Sequence, residues 1–309
     1  MSRDRWSLLA VVATMVVWGL NFPFVKHVLD QIGVGAFLFI RFAALPLLGL
    51  AMLAIVFRSR IARTWPRREA LPRFILCAVV GHTIHIAAVM GGMNLSTAFS
   101  SSLVLMSGPL FTLAILALLG AARLGRQQLA GTALACAGIG LFLSDKFAGG
   151  RINAGYGDLL LMLAALCFSL YTVLAQPITK RYGPLIVLSY TLLFAAPPIL
   201  LLNFGAFMAI EPARLTPMVW VGMFWALVLS SFIGWMTWGW VNAVRGVARC
   251  APFNYLMPPI AGFSAWLTLG EVFTWLKLLG ALVTMAGVAW AQFGGGRPPR
   301  KEAAQPDAG

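Results

Sequence analysis

Few side chains in this sequence are equipped to act on a solute, and they stand in apolar surroundings. His82 and His85 are three residues apart, which on a helix places both on one face. An imidazole changes charge near neutral pH, so the pair suits substrate contact or proton transfer. The alternative is two neutral rings hydrogen-bonded inside a bundle. Arg41 is isolated among apolar residues. A guanidinium matches a carboxylate in charge and geometry, and burying one is costly enough to mark a functional candidate. Its stem also allows it to reach back to a headgroup layer. Trp18, Tyr171, Tyr190, Trp235, Trp238 and Tyr255, with Asn21, Ser102 and Asn254, supply rings and a few hydrogen-bonding tips. Such a set suits a pocket that holds an apolar side chain and orients a small polar group, or else it is packing. These twelve residues are the candidate substrate-binding set.

Other chemistry is poorly represented. No Asp or Glu lies in the core of an apolar stretch, so the usual carboxylate proton relay is missing and proton coupling would fall to a histidine. Cys77, Cys136, Cys167 and Cys250 are far apart and none neighbours a histidine, which argues against disulfides and a metal site. No nucleophile stands with a base and an orienting group at recognisable spacing. Neither an enzyme, a metal nor a cofactor is expected.

The elements that carry these residues follow from composition. Of 309 residues 60% are apolar and 10% charged, and the mean hydropathy is +0.86. A soluble domain carries charge on about a quarter of its positions, so this chain cannot cover a water-facing surface. Ten stretches of bilayer-spanning length are read at 7–26, 34–57, 74–94, 97–119, 128–146, 157–177, 184–204, 217–241, 250–270 and 274–293. With the N-terminus in the cytoplasm, 17 of the 23 Lys and Arg residues fall on the inner side, five on the outer, and Arg41 within a span. That asymmetry sets the orientation, with both termini cytoplasmic. It also explains the net charge of +14 without a nucleic-acid partner. The first span runs into Asn21, Pro23 and Lys26 with no small-residue cleavage site, and is expected to be retained. Residues 294–309 are read as a disordered cytoplasmic tail.

The chain also resembles itself. Pro109, Gly131 and Gly138 are matched by Pro258, Gly280 and Gly287, each 149 residues later, and Leu119-Gly120 is paralleled by Leu269-Gly270. A repeat of five spans is odd, so its second copy enters the membrane inverted, as in secondary transporters. The expected fold is an all-α integral membrane protein of ten transmembrane helices in two inverted five-helix repeats, 1–148 and 149–293. Gly131, Ala135 and Gly138, and likewise Gly280, Thr284 and Gly287, form small-residue faces for close helix packing. Pro109 and Pro258 are expected to interrupt their helices mid-span, as static kinks or as hinges.

Trp18-Gly19-Leu20-Asn21-Phe22, Arg41-Phe42, the Pro109 and Pro258 helices, and Leu269-Gly270-Glu271 before Gly280 and Gly287 together resemble the drug/metabolite transporter superfamily, specifically its EamA-type ten-helix exporters. The sequence departs from the doubled pattern at Ala122, where a match to Glu271 is missing, and at Phe168, which stands opposite Trp18. The resemblance implies an inner-membrane carrier exporting amino acids and related small zwitterions by alternating access, embedded in the bilayer without an obligate protein partner. A drug or nucleoside exporter and a lipid flippase are the alternatives.

Overall fold

The computed structural model describes residues 3–120, 125–148 and 152–293, and every element among them is helical. Ala122 and the tail 294–309 lie outside the described residues. Six stretches are long and apolar enough to cross a membrane: Arg5–Thr64, Leu71–Leu95, Ala98–Leu118, Gly155–Tyr182, Pro184–Met208 and Pro217–Arg245. Residues such as Leu118, Leu201 and Trp275 are more than 80% exposed. An apolar exterior of this kind belongs in lipid, not water.

Helix α1, Arg3–Phe57, is two helices joined at Gly33, whose φ of 75° and ψ of 166° are non-helical. Only glycine enters that region without strain. Trp18 and Arg41 both reach adjacent residues far along the chain, Ser230 and Ser231. In a straight helix they would be about 35 Å apart, so the chain doubles back at Gly33. Gly183 has the same backbone geometry, φ 86° and ψ 156°, between α7, Ile152–Tyr182, and α8, Pro184–Met208. The first and sixth expected spans end early, at 26 and 177. Both helices run on past those points, to Gly33 and Tyr182, with Pro23 and Pro177 absorbed inside them, because neighbouring helices accommodate the freed carbonyls that proline leaves.

The second stretch, Leu71–Leu95, is α2, Leu71–Cys77, a π-helical turn, Ala78–Ile84, and α3, His85–Leu95. After α8, the chain repeats this plan with α9, Pro217–Phe224, a π segment, Trp225–Gly234, and α10, Trp235–Arg245. Between these lie α4, Ala98–Leu105, α5, Gly108–Leu118, and α6, Arg126–Ala148. The chain ends in α11, Val247–Cys250, a 3-10 segment, Ala251–Leu256, α12, Met257–Leu269, and α13, Trp275–Phe293.

The two prolines expected to interrupt their helices mid-span stand immediately after such interruptions. Each is the second residue of a helix, Pro109 in α5 and Pro258 in α12. The interruption comes just before them, at Met106-Ser107 and along Ala251–Leu256. In a first turn the missing N–H has no intrahelical partner to lose, so proline starts the new helix at little cost. The Ser169 hydroxyl donates to the Gly108 carbonyl at 2.7 Å, tying the break to α7.

The small-residue faces meet each other. A methyl group added at Gly131 or Gly138 of α6 would strike the backbone of Ala291 or Thr284 in α13, and one at Gly280 or Gly287 would strike Phe142 or Ala135. The main core is formed by α1, α3, α7, α8 and the Trp225–Trp238 stretch.

Candidate functional site

A cavity of about 100 Å³ lies among these central elements, several times the space a single water needs. From α1 come Trp18 and Asn21, three apart on one face, then Phe22, and Arg41 after the chain has turned at Gly33. From α3 comes a stripe, His85, Ile86, Val89, Met90 and Met93, at helical spacing. Leu105, Ala165, Phe168, Ser230, Ser231, Trp235, Asn254 and Met257 close the remainder.

The rings form a connected cluster. Trp18 meets Phe168 edge-on with centroids 5.8 Å apart, and Phe168 meets Trp235 edge-on at 5.5 Å. His85 packs on Phe168 at 5.3 Å and on Trp235 at 5.6 Å. Its Nδ1 lies 2.8 Å from the Ala164 carbonyl, which fixes the ring against α7. The Trp18 indole N–H donates to the Ser230 carbonyl at 3.0 Å. Trp18 is packed within 5.6 Å of Trp238.

Arg41 is buried inside this frame. It is 4% exposed. One guanidinium nitrogen donates to the Ser231 hydroxyl, which in turn donates to the Ala226 carbonyl within the π segment. Its Nε has no hydrogen-bond partner. Among the described residues no Asp or Glu lines the cavity. An uncompensated buried cation of this kind attracts an anion. The side-chain oxygens of Asn21 and Asn254 are also buried and accept no hydrogen bond.

Of the twelve residues picked from the sequence, Trp18, Asn21, Arg41, His85, Trp235 and Asn254 line the cavity together. The others do not. His82 is turned behind the wall, its Nε2 3.0 Å from the Thr191 hydroxyl and its ring packed on Trp235 and Tyr171. Tyr171 fills the space against Gly81, where a methyl group would clash with its ring. Trp238 donates to the Thr172 hydroxyl at 3.2 Å and stacks on Phe168, one layer out. Tyr190 bonds Thr64 at 2.8 Å and packs against Trp65. Ser102 donates to the Phe99 carbonyl, and the Tyr255 hydroxyl donates to the Val288 carbonyl. The residue types did not single out Ile86, Val89, Met90 and Met93 of the α3 stripe, or Met257. Their spacing is helical, but an apolar side chain in an apolar span gives no contrast to read. Among the described residues no group of His, Cys, Asp and Glu could hold a metal ion.

Comparison with known proteins places this geometry. The sequence profile of the EamA-like transporter family matches residues 5–144 and again 155–292. A protein of Streptantibioticus cattleyicolor named as a probable terminal-alkyne amino-acid exporter is 28% identical, with 93% of each chain covered. A probable amino-acid metabolite efflux pump of Salmonella typhimurium is 29% identical over 94% of this chain and 95% of its own. A crystal structure that is 18% identical, with a TM-score of 0.62, covers 94% of this chain and 98% of that one, and shares the fold. The family profile spans nearly the whole chain, so this protein belongs to the EamA-like transporter family, within the drug/metabolite transporter superfamily.

Proposed function

We propose that the protein exports amino acids and related small zwitterions across the inner membrane by alternating access. The observation that carries this reading is the uncompensated Arg41 guanidinium in a cavity walled by Trp18, Phe168 and Trp235. A solute carboxylate neutralises the cation, while an apolar side chain lies against rings and methionines. The names of the two bacterial relatives agree with it.

The carrier is read as ten spans in two inverted repeats, 1–148 and 149–293, with both termini in the cytoplasm. Support comes from the double match of one family profile, the paired bends at Gly33 and Gly183, and the paired π segments. Two halves of opposite orientation enclose a midplane site and rock about it. Pro109 and Pro258, opening α5 and α12, are the proposed pivots. In this topology the α3 stripe leads from His85 to the outer end at Met93. On the inner side Thr64, Trp65 and Tyr190 pack together, which fits an outward-facing state.

Proteoliposomes loaded with labelled L-leucine, L-methionine and L-phenylalanine test the reading. Protein-dependent release of at least one is expected; release at the rate of empty liposomes for all three, at several pH values, refutes it.

A further inference from the structure

A zwitterion has a cationic end as well as an anionic one, and in this cavity the two ends meet different chemistry. Arg41 answers the carboxylate. A primary ammonium brings three N–H donors and cannot be buried without acceptors. Two of the residues lining the cavity carry an acceptor without a partner. The Asn21 and Asn254 side-chain oxygens are buried without a hydrogen bond, and Asn254 is 5% exposed. Both residues line the cavity that Arg41 lines. They come from different elements, α1 and the 3-10 segment that leads into α12, which pack together where Gly19 meets Met257 and Ile260. The face of Trp18, one turn before Asn21 on α1, offers the remaining N–H a ring. Unmet buried oxygens are costly to a fold, and a ligand that satisfies them recovers that cost.

Building on the export reading above, we infer that Asn21 and Asn254 receive the α-ammonium group of the solute and make it a requirement for transport. Neutral amides suit this role. An acidic residue there would pair with the Arg41 guanidinium and shut out the solute carboxylate. The selectivity follows. The α-hydroxy analogue of a substrate leaves both oxygens unmet and is rejected. Side chains with a second charge find no counter-ion among the residues lining the cavity, which takes uncharged, apolar amino acids alongside Met90, Met93 and Met257.

The test is competition against labelled L-leucine flux in proteoliposomes by L-leucine, by 2-hydroxy-4-methylpentanoate and by 3-methylbutylamine. Each analogue is expected to compete about tenfold or more weakly than leucine. Asn21→Leu and Asn254→Leu, apolar and close in volume, are expected to weaken leucine by a similar factor and leave the hydroxy acid unchanged. Melting temperature of each variant separates loss of recognition from loss of fold, and the wild-type competition series decides where a variant fails to fold. A hydroxy acid as potent as leucine overturns the ammonium site while leaving export standing. Folded variants with unchanged leucine affinity overturn it equally. Absence of flux for every amino acid removes the export reading, and this inference with it.

Discussion

The guanidinium of Arg41 is held by the hydroxyl of Ser231, across 190 residues of sequence. A counterpart exists at the repeat offset. Thr191 lies 150 residues beyond Arg41, Ser231 lies 149 beyond His82, and the Thr191 hydroxyl contacts His82 at 3.0 Å. Two pairs that exchange under the offset are what two inverted copies about a pseudo-twofold axis produce. On the proposed reading of two inverted repeats the copies have diverged here, since Arg41 is a cation and its counterpart Thr191 is not.

That difference separates function from stability at Arg41. Replacing a buried charge that has no counter-ion by an apolar residue of similar size is often neutral or stabilising. Arg41→Met is expected to keep or raise the melting temperature and to lower amino-acid flux about tenfold or more. Flux at the wild-type level with a melting temperature several degrees lower would make Arg41 a structural residue.

Arg41, Trp18, Asn21 and Asn254 were legible because a charge, an indole or an amide is rare in an apolar span and needs a reason to be there. The direction of the histidines was not. Three-residue spacing aligns two side chains on an α-helix, but Ala78–Ile84 is wound as a π-helix. His82 therefore meets α8 and His85 meets α7 and the cavity. Nothing in the local residue types signals that wider turn, within which Gly81 packs against Tyr171. Proline misleads in the same way. Whether it ends a helix, as before Pro109, or is absorbed, as at Pro23, depends on neighbours that local sequence does not name.

The α6–α13 contact admits no added methyl group. At Gly287 one would collide with the Ala135 backbone, whereas at Gly140 of α6 it would meet nothing within 4 Å. Gly287→Ala is expected to destabilise by about 1–3 kcal/mol, and Gly140→Ala to be neutral or slightly stabilising. Thermal unfolding in one detergent compares them. Equal melting temperatures would show that the helices separate without loss.

Glu271 secures the N-terminus of α4 from the far end of the chain. Its carboxylate accepts from the backbone N–H groups of Ala98 at 2.6 Å and Phe99 at 3.2 Å. These donors have no intrahelical partner, and a carboxylate also complements the positive end of the helix dipole. Glu271→Ala is expected to cost about 1–2 kcal/mol. Because α4 carries Leu105 into the cavity wall, the half-saturating leucine concentration is expected to rise as well. Unchanged stability would mean that Thr97, whose hydroxyl already accepts from the Ser100 N–H, suffices as the cap.

The proposed topology puts the bend at Gly33 on the outer side and the arginine-rich loop after Phe57 on the inner side. The structural reason is that Trp18 and Arg41 both reach the same π segment, so the two halves of α1 run antiparallel and residues 5 and 58 share one face. Arg58, Arg60, Arg63, Arg67 and Arg68 are all exposed on that loop, and such clusters are retained in the cytoplasm. In a variant freed of its four native cysteines, a thiol at Asp30→Cys is expected to react with a membrane-impermeant maleimide in intact cells. One at Ser59→Cys is expected to react only after lysis. The reverse pattern would turn the whole molecule over and make the stripe from His85 to Met93 a path to the cytoplasm. Labelling of both sites in intact cells would remove the hairpin from the membrane altogether.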